Sequence, residues 1–297
     1  MKWGIDLGGT KIEGIIIDSA ENNTVIARRR ISTEGDRGYH HVLLQIKKLI
    51  AALSKESGLL PQKIGIGTPG SIFPPTGHLK NCNSQHLNDK PLLVDLQNLL
   101  QVPVAMANDA NCFALAETQM GIVPDILPDA KVVFGVIMGT GVGGGLVVNG
   151  QIINGANGIG GEWGHNFLDD SGGSCYCGKI GCVETVISGP ALEKYYLQIS
   201  GHSKLLKDIV KDVKADPYAK ETVARLIHYF GLGVSTIINT IDPDIIVLGG
   251  GVGNIDLLYT KGIEEAKKFV FNPECATKIV KPKLGDSAGV FGAAFLN

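Results

Sequence analysis

An α/β fold built from two similar halves is what the sequence predicts, and three observations carry the prediction. Amphipathic helical patterns alternate with short apolar strands, as where Tyr39–Ser57 leads into Lys63–Gly67. A strand, glycine turn, strand pattern occurs twice, around Gly8-Gly9 and again around Gly139–Gly145. Finally, 40 of the 297 residues are glycine, nearly double the usual ~7%. With 13 prolines the chain is still not of low complexity, so the excess is expected in specific turns.

The elements follow in order. Ile5-Asp6-Leu7-Gly8-Gly9-Thr10-Lys11 and the apolar run Ile15–Ile17 read as a first hairpin. Val42, Ile46, Leu49, Ile50 and Leu53 recur at helical spacing within Tyr39–Ser57. The strand Lys63–Gly67 ends in a Gly/Pro-rich loop, Thr68–Gly77, which includes Gly70. The apolar strand Val102–Ala107 leads into a helix, Asn108–Thr118, opened by Asn-Asp. The second half repeats the logic with the strand Val132–Met138, the turn Gly139-Thr140-Gly141 and a second strand from Gly143 to Gly150. An irregular Gly/Cys segment fills 150–190. Helices are expected near 189–200 and 217–240, then a strand, Ile245–Leu248, closed by Gly249-Gly250-Gly251. No heptad, tandem repeat or spacer interrupts this order.

Composition removes several function classes. Lys and Arg total 27 against 29 Asp and Glu, a net charge of −2, which lacks the basic footprint of a nucleic-acid binder. With 44% hydrophobic and 19% charged residues the chain is an ordinary globular one, not a disordered one. Asp6 and the glycine pair break any signal peptide, and no apolar run approaches a membrane span. A cytoplasmic protein without membrane or nucleic-acid partners is expected. Six cysteines are too few for a disulfide scaffold. Cys82, Cys112 and Cys275 are scattered, while Cys175, Cys177 and Cys182 cluster near His165 and ask for a metal, against the rival readings of a disulfide or reactive thiols.

Two glycine motifs are decoys. Gly139–Gly144 fits the dinucleotide fingerprint, but the following Leu146-Val147-Val148 reads as a strand where that motif needs a helix. Gly173–Lys179 fits most of a phosphate loop, but Ile180 stands where the metal-binding Ser or Thr is required. What remains is a pair of hairpins plus Gly249–Gly251. Turns stripped of side chains expose backbone N–H groups that form nests for phosphate oxygens. The structural alternative, plain tight hairpins, is outweighed by their number and by the company of Asp6 and Thr10.

The order and spacing of these segments resemble the ROK family (repressor, open reading frame, kinase) of bacterial sugar kinases. The resemblance rests on Asp6–Lys11, Gly139–Gly145, Asn108-Asp109-Ala110-Asn111, Gly161-Glu162-Trp163-Gly164-His165 and Cys175–Glu184, and runs from residue 4 to about 292. It implies two RNase H-like domains of the actin/hexokinase-like fold, with ATP and sugar in the cleft between them. The domains are expected at 1–118 and 119–285, with a last helix, about 286–297, packed back on the first. A homodimer is the family's usual assembly. The five residues before Asp6 leave no room for the helix-turn-helix of the repressor branch, so the kinase branch is expected.

The resemblance also assigns roles. Asp109 is the catalytic base, although an Asx helix cap is the bland reading of the same residue. Asn108, Asp109, Asn83, Gly70, Glu162, His165 and Glu184 bind the sugar. Gly8, Gly9, Thr10, Lys11, Gly139, Thr140, Gly141, Gly143, Gly249 and Gly250 hold ATP, and Asp6 orients Mg²⁺ through water. His165, Cys175, Cys177 and Cys182 form a structural zinc set with no open position, leaving the second nitrogen of His165 for a sugar oxygen. The expected reaction is ATP-dependent phosphorylation of a hexose at the 6-hydroxyl. Lys80-Asn81-Cys82-Asn83-Ser84, Gly161–Asn166 and Glu184–Gly189 are similar to the fructokinase/mannokinase group. N-acetylglucosamine kinase or glucokinase is the alternative, and a silent sugar sensor a more distant one.

Overall fold

The computed structural model describes residues 1–296. The chain divides into two compact units. The first comprises Met1–Ile126, Gly145–Gly160 and the segment from Leu284 onward, and the second comprises Leu127–Gly144 and Gly161–Lys283.

The first unit runs β1 (Lys2–Leu7), β2 (Lys11–Asp18), β3 (Thr24–Ser32), α1 (Tyr39–Ser57), β4 (Ile64–Thr68), the small hairpin β5 (Ser71–Phe73) and β6 (His78–Lys80), α2 (Leu92–Leu100), β7 (Val104–Asn108), α3 (Asp109–Gln119) and α4 (Ile122–Ile126). Its sheet has the order β3-β2-β1-β4-β7. The first three strands are antiparallel, and β1, β4 and β7 are parallel. Ile12 through Ile17 are buried at every position because β2 is covered on both faces, so this stretch is apolar throughout except for Glu13. The edge strand β3 carries exposed Arg28, Arg29 and Arg30, charges that discourage pairing with another chain. Buried Glu13 accepts from Arg28 at 2.5 Å and Arg30 at 2.6 Å. The predicted apolar stripe of α1 is its buried face, and Gly58 ends the helix in the left-handed region with φ of 72°.

The remaining elements are β8 (Val132–Met138), β9 (Val142–Val148), β10 (Gln151–Ile152), α5 (Val183–Ile187), α6 (Gly189–Ser200), α7 (Leu206–Lys211), α8 (Pro217–Ile241), β11 (Ile245–Gly249), α9 (Gly250–Gly253), α10 (Lys261–Lys267), β12 (Lys278–Val280) and α11 (Ala288–Ala294). The second sheet has the order β10-β9-β8-β11-β12, with β11 parallel to both of its neighbours. The Gly139 turn is followed by the strand β9, not by a helix, which removes the dinucleotide-fold reading. Asp216 caps α8 by accepting the N–H groups of Tyr218 and Ala219. Among the described residues no helix is long and apolar enough to cross a membrane.

The helix α11 is shorter than expected, because a 3-10 turn occupies Gly285–Ser287, and Asn297 lies outside the described residues. It packs against β1, β4 and α3 within the first unit. A side chain at Gly4 would collide with the Val290 carbonyl, one at Gly65 with the Ala293 carbonyl, and one at Gly292 with the Cys112 carbonyl. The expectation that the glycine excess sits in turns is therefore corrected. Part of it lets backbone pack directly on backbone, which no other residue permits.

Candidate functional site

In the first unit, the turn from β1 to β2 is closed by the Gly8 N–H donating to the Lys11 carbonyl at 3.0 Å. The Thr33 hydroxyl donates to the Gly8 carbonyl at 2.8 Å, and the Thr33 N–H donates to Thr10. Gly9, Thr10 and Lys11 stay exposed on a turn that is nonetheless fixed. Asp6 is the penultimate residue of β1. A Cβ on Gly289 would lie 3.2 Å from one Asp6 oxygen, and one on Gly67 3.7 Å from the other. Bare backbone thus flanks this carboxylate, a cradle that any larger residue would fill. Burial, then the charges of Asp109 and Glu13, raise the Asp6 carboxyl to about 6, against a smaller opposing pull from Arg30. An acid held against two like charges in a cradle of glycine suits a hydrated Mg²⁺.

Asp109 begins α3, and Asn108 caps that helix by accepting the Ala110 N–H at 2.9 Å. The Asn108 amide also donates to the Gly70 carbonyl at 3.2 Å. Parallel pairing of Thr68 with Asn108 brings these residues together. Asp109 keeps its side chain accessible. Dense surrounding protein still withdraws water and raises its carboxyl pKa, while the Ala110 N–H and Asn108 pull the other way. Asn83 is exposed on the Lys80–Ser84 loop. That loop is built on Cys82, whose N–H donates to the Asn88 side chain at 2.9 Å and whose thiol donates to the Pro69 carbonyl at 2.7 Å. Burial and the Asp109 charge push the Cys82 thiol up to about 12, so it stays a neutral anchor. Ser84 on the same loop lies beside Gly9, its hydroxyl 3.3 Å from where a Cβ would stand.

In the second unit, the Gly139 N–H donates to Gly141, and the Gly189 N–H donates to Gly139 at 2.8 Å. Glu184 accepts the Val142 N–H at 2.9 Å, so one of its oxygens pins the hairpin. Gly141 is glycine because a Cβ there would strike this carboxylate at 2.5 Å. Gly250, at φ of 80°, passes over the Met138 carbonyl and sets Gly251 beside Gly139. A cavity of about 860 Å³ opens here. Gly139, Thr140 and Gly251 line it, whereas Gly141, Gly143, Gly249 and Gly250 lie outside its lining. Its apolar wall, including Leu206, Val210, Val252 and Ile255, was missed by sequence reading, because these residues come from two short segments with no shared motif. An apolar wall meeting a glycine turn suits a nucleotide base and its phosphates.

Glu162 precedes the turn Trp163–His165, which is held by the buried Trp163 indole donating to the Gly233 carbonyl at 3.1 Å. His165, Cys175, Cys177 and Cys182 offer four ligand atoms within 4.8 Å of one another. Cys175 Sγ lies 3.6 Å from His165 Nδ1, and the sulfurs of Cys177 and Cys182 lie 3.6 Å apart. A tetrahedral zinc with Zn–S bonds near 2.3 Å spaces its ligands by about 3.7 Å, so the set fits. His165 Nε2 is 2.9 Å from the hydroxyl of Tyr176, a partner that no motif announced. Tyr176 also feels Glu184 and Glu162, and after burial these charges help push its phenol up to about 12.

Comparison with known proteins agrees with this geometry. The model of the ROK family matches residues 2–297. N-acetyl-D-glucosamine kinase of Vibrio vulnificus is 36% identical over 100% of this chain and 99% of its own length. The enzyme of that name from Yersinia pseudotuberculosis is 35% identical with the same coverage. A ROK hexokinase from Thermus thermophilus superposes with a TM-score of 0.88 at 30% identity, covering 100% of this chain and 97% of the other. The match spans the chain, follows both sheets and includes the cysteine segment: the protein belongs to the ROK family and has the actin/hexokinase-like fold of the ROK hexokinases.

Proposed function

We propose that the chain transfers the terminal phosphoryl group of ATP to the 6-hydroxyl of a hexose. The observation that carries the reading is Asp109, an accessible carboxylate with raised proton affinity at the start of α3, in a chain matched along its length by sugar kinases. A sugar hydroxyl is a weak nucleophile, and its proton passes to Asp109 as the new O–P bond forms and the bond from phosphorus to the ADP oxygen breaks. Asn108, held by Gly70, orients the sugar beside Asp109, with Asn83 as a further contact. Glu162, His165 and Glu184 are proposed as hydroxyl-reading residues of the second unit. Gly8–Lys11 in one unit, and Gly139, Thr140, Gly141, Gly143, Gly249 and Gly250 in the other, are proposed to hold ATP through backbone N–H groups.

Mg²⁺ supplies charge neutralisation on the phosphates, and Asp6 is the residue proposed to orient it. Zinc held by His165, Cys175, Cys177 and Cys182 would be structural, since four protein ligands leave no open position. Two domains near the expected 1–118 with the last helix and 119–285 are the proposed division, with residues 119–126 and Gly145–Gly160 grouping with the first compact unit, and a homodimer in the cytoplasm is the proposed state.

The curated relatives favour N-acetyl-D-glucosamine as the sugar. A second reading, fructose or mannose, rests on the loop Lys80-Asn81-Cys82-Asn83-Ser84. ADP release measured with ATP and a panel of N-acetylglucosamine, N-acetylmannosamine, glucose, mannose and fructose decides between them. Sugar-dependent ADP release with a 6-phosphate product is expected. No ADP release with any hexose would overturn the proposal.

A further inference from the structure

His165 has two ring nitrogens with different neighbours. Nδ1 faces the Cys175 sulfur at 3.6 Å, and Nε2 faces the Tyr176 hydroxyl at 2.9 Å. The proposed function gives that second nitrogen to a sugar oxygen, so an O–H group of the protein stands where an O–H group of the ligand is expected.

The surroundings of Tyr176 suit a side chain that can leave. It occupies a four-residue turn closed by the Gly178 N–H donating to the Cys175 carbonyl at 3.0 Å. The turn is fixed on both sides, by Cys175 and Cys177 and by the pairing of Ser174 with Ile180. The Tyr176 side chain is not so fixed, for the residue is 67% exposed. Its ring meets His165 edge-on, with centroids 5.1 Å apart. Rotation about χ1 would carry the phenol into water with the backbone unmoved, at the cost of one hydrogen bond and one ring contact.

We propose that Tyr176 is a stand-in for the substrate: in the sugar-free protein its hydroxyl occupies His165 Nε2, and the hexose binds by displacing it. This rests on the sugar-kinase reading. The exchange trades one protein O–H for one ligand O–H, so Tyr176 lowers apparent sugar affinity without entering the chemical step. It also keeps the His165 ring oriented while no sugar is present, as a hydrogen-bonded second nitrogen does in metal-histidine sites.

Tyr176→Phe separates this role from a purely orienting one. The variant keeps the ring but no longer competes for Nε2. A neutral hydrogen bond is worth about 1 kcal/mol net, or roughly a fivefold change in binding constant. The hexose Kd and KM are expected to fall by up to about fivefold, with kcat and the zinc content per chain unchanged. Tyr176→Ala, which also removes the ring, is expected to tighten binding at least as much. Unchanged or weakened hexose binding in both variants, with the wild type active, would overturn this proposal and leave the kinase reading standing. A wild-type protein that neither binds nor phosphorylates any hexose of the panel would overturn both.

Discussion

The carboxylate of Glu117 accepts the backbone N–H of Leu284 at 2.9 Å, across 167 positions of sequence. Its other oxygen accepts the Ile122 N–H at 2.8 Å, and the side chain is fully buried. One acid thus satisfies two main-chain donors, the first just after α3 and the second ahead of α11. Glu117→Gln keeps the volume but offers an amide N–H₂ to one of those donors. An unsatisfied buried donor costs about 1–3 kcal/mol. The melting temperature is expected to drop by several degrees, since about 1 kcal/mol shifts it by ~2–4 °C in domains of this size. Glu117→Ala, which removes both acceptors, should fall further. Calorimetry on the two variants checks the order.

Asp109→Asn discriminates a base from a helix cap. Asn108 already caps α3 through the Ala110 N–H, so the substitution leaves the helix end satisfied. A positioned proton acceptor is worth about 10²–10⁴ in rate. The kcat is expected to fall by that factor, while sugar binding stays within a few-fold and the melting temperature barely moves. Wild-type turnover in this variant would reassign the base.

Asp6 makes a prediction about pH. Its carboxyl is raised to about 6 by burial and by Asp109 and Glu13, so the folded protein holds that proton more tightly than the unfolded chain. The contribution to stability is then fully present below the ordinary carboxylate range and is lost as pH rises toward 6. Asp6→Asn removes this liability. It is expected to flatten the melting profile between about pH 4 and 6, to melt higher than wild type at neutral pH, and to lose turnover. A melting temperature below wild type at neutral pH would contradict the argument.

Metal analysis of freshly purified protein is expected to give one zinc per chain. Ligand thiols must lose their protons to bind, so affinity falls with acidification. Cys177→Ser is expected to lose the metal and raise the sugar KM before it lowers the global melting temperature, because the loop it closes carries His165 and leads into Glu184. Stoichiometric zinc in this variant would show that three ligands suffice.

Much of this molecule is legible in its sequence where one local pattern decides the structure. The apolar spacing of Val42, Ile46, Leu49, Ile50 and Leu53 gives α1 its bounds at Tyr39 and Ser57. The run Ile245–Leu248 gives β11 to within one residue, and the cysteine spacing gathers the metal set. What escapes is what depends on partners distant in the chain. Nothing near Glu184 announces that it pins Val142, and nothing near Cys82 announces Asn88 or Pro69. The small hairpin β5/β6 is only three residues on each strand, too short for an alternating pattern. Tyr176 was invisible for another reason: flanked by the candidate metal ligands Cys175 and Cys177, it reads as a filler residue until its hydroxyl is seen on His165.

The glycines beneath α11 have a consequence for how the protein is made. Gly4 and Gly65 leave bare backbone on a sheet whose strands all lie within the first 108 residues, and the helix that covers it begins at Ala288. A ribosome adding about 5–20 residues per second needs on the order of ten seconds or more to pass from one to the other. Until α11 has been made the first unit is incomplete, and it presents an open groove that chaperones can occupy. Truncation just before Ala288 would leave that groove permanently uncovered.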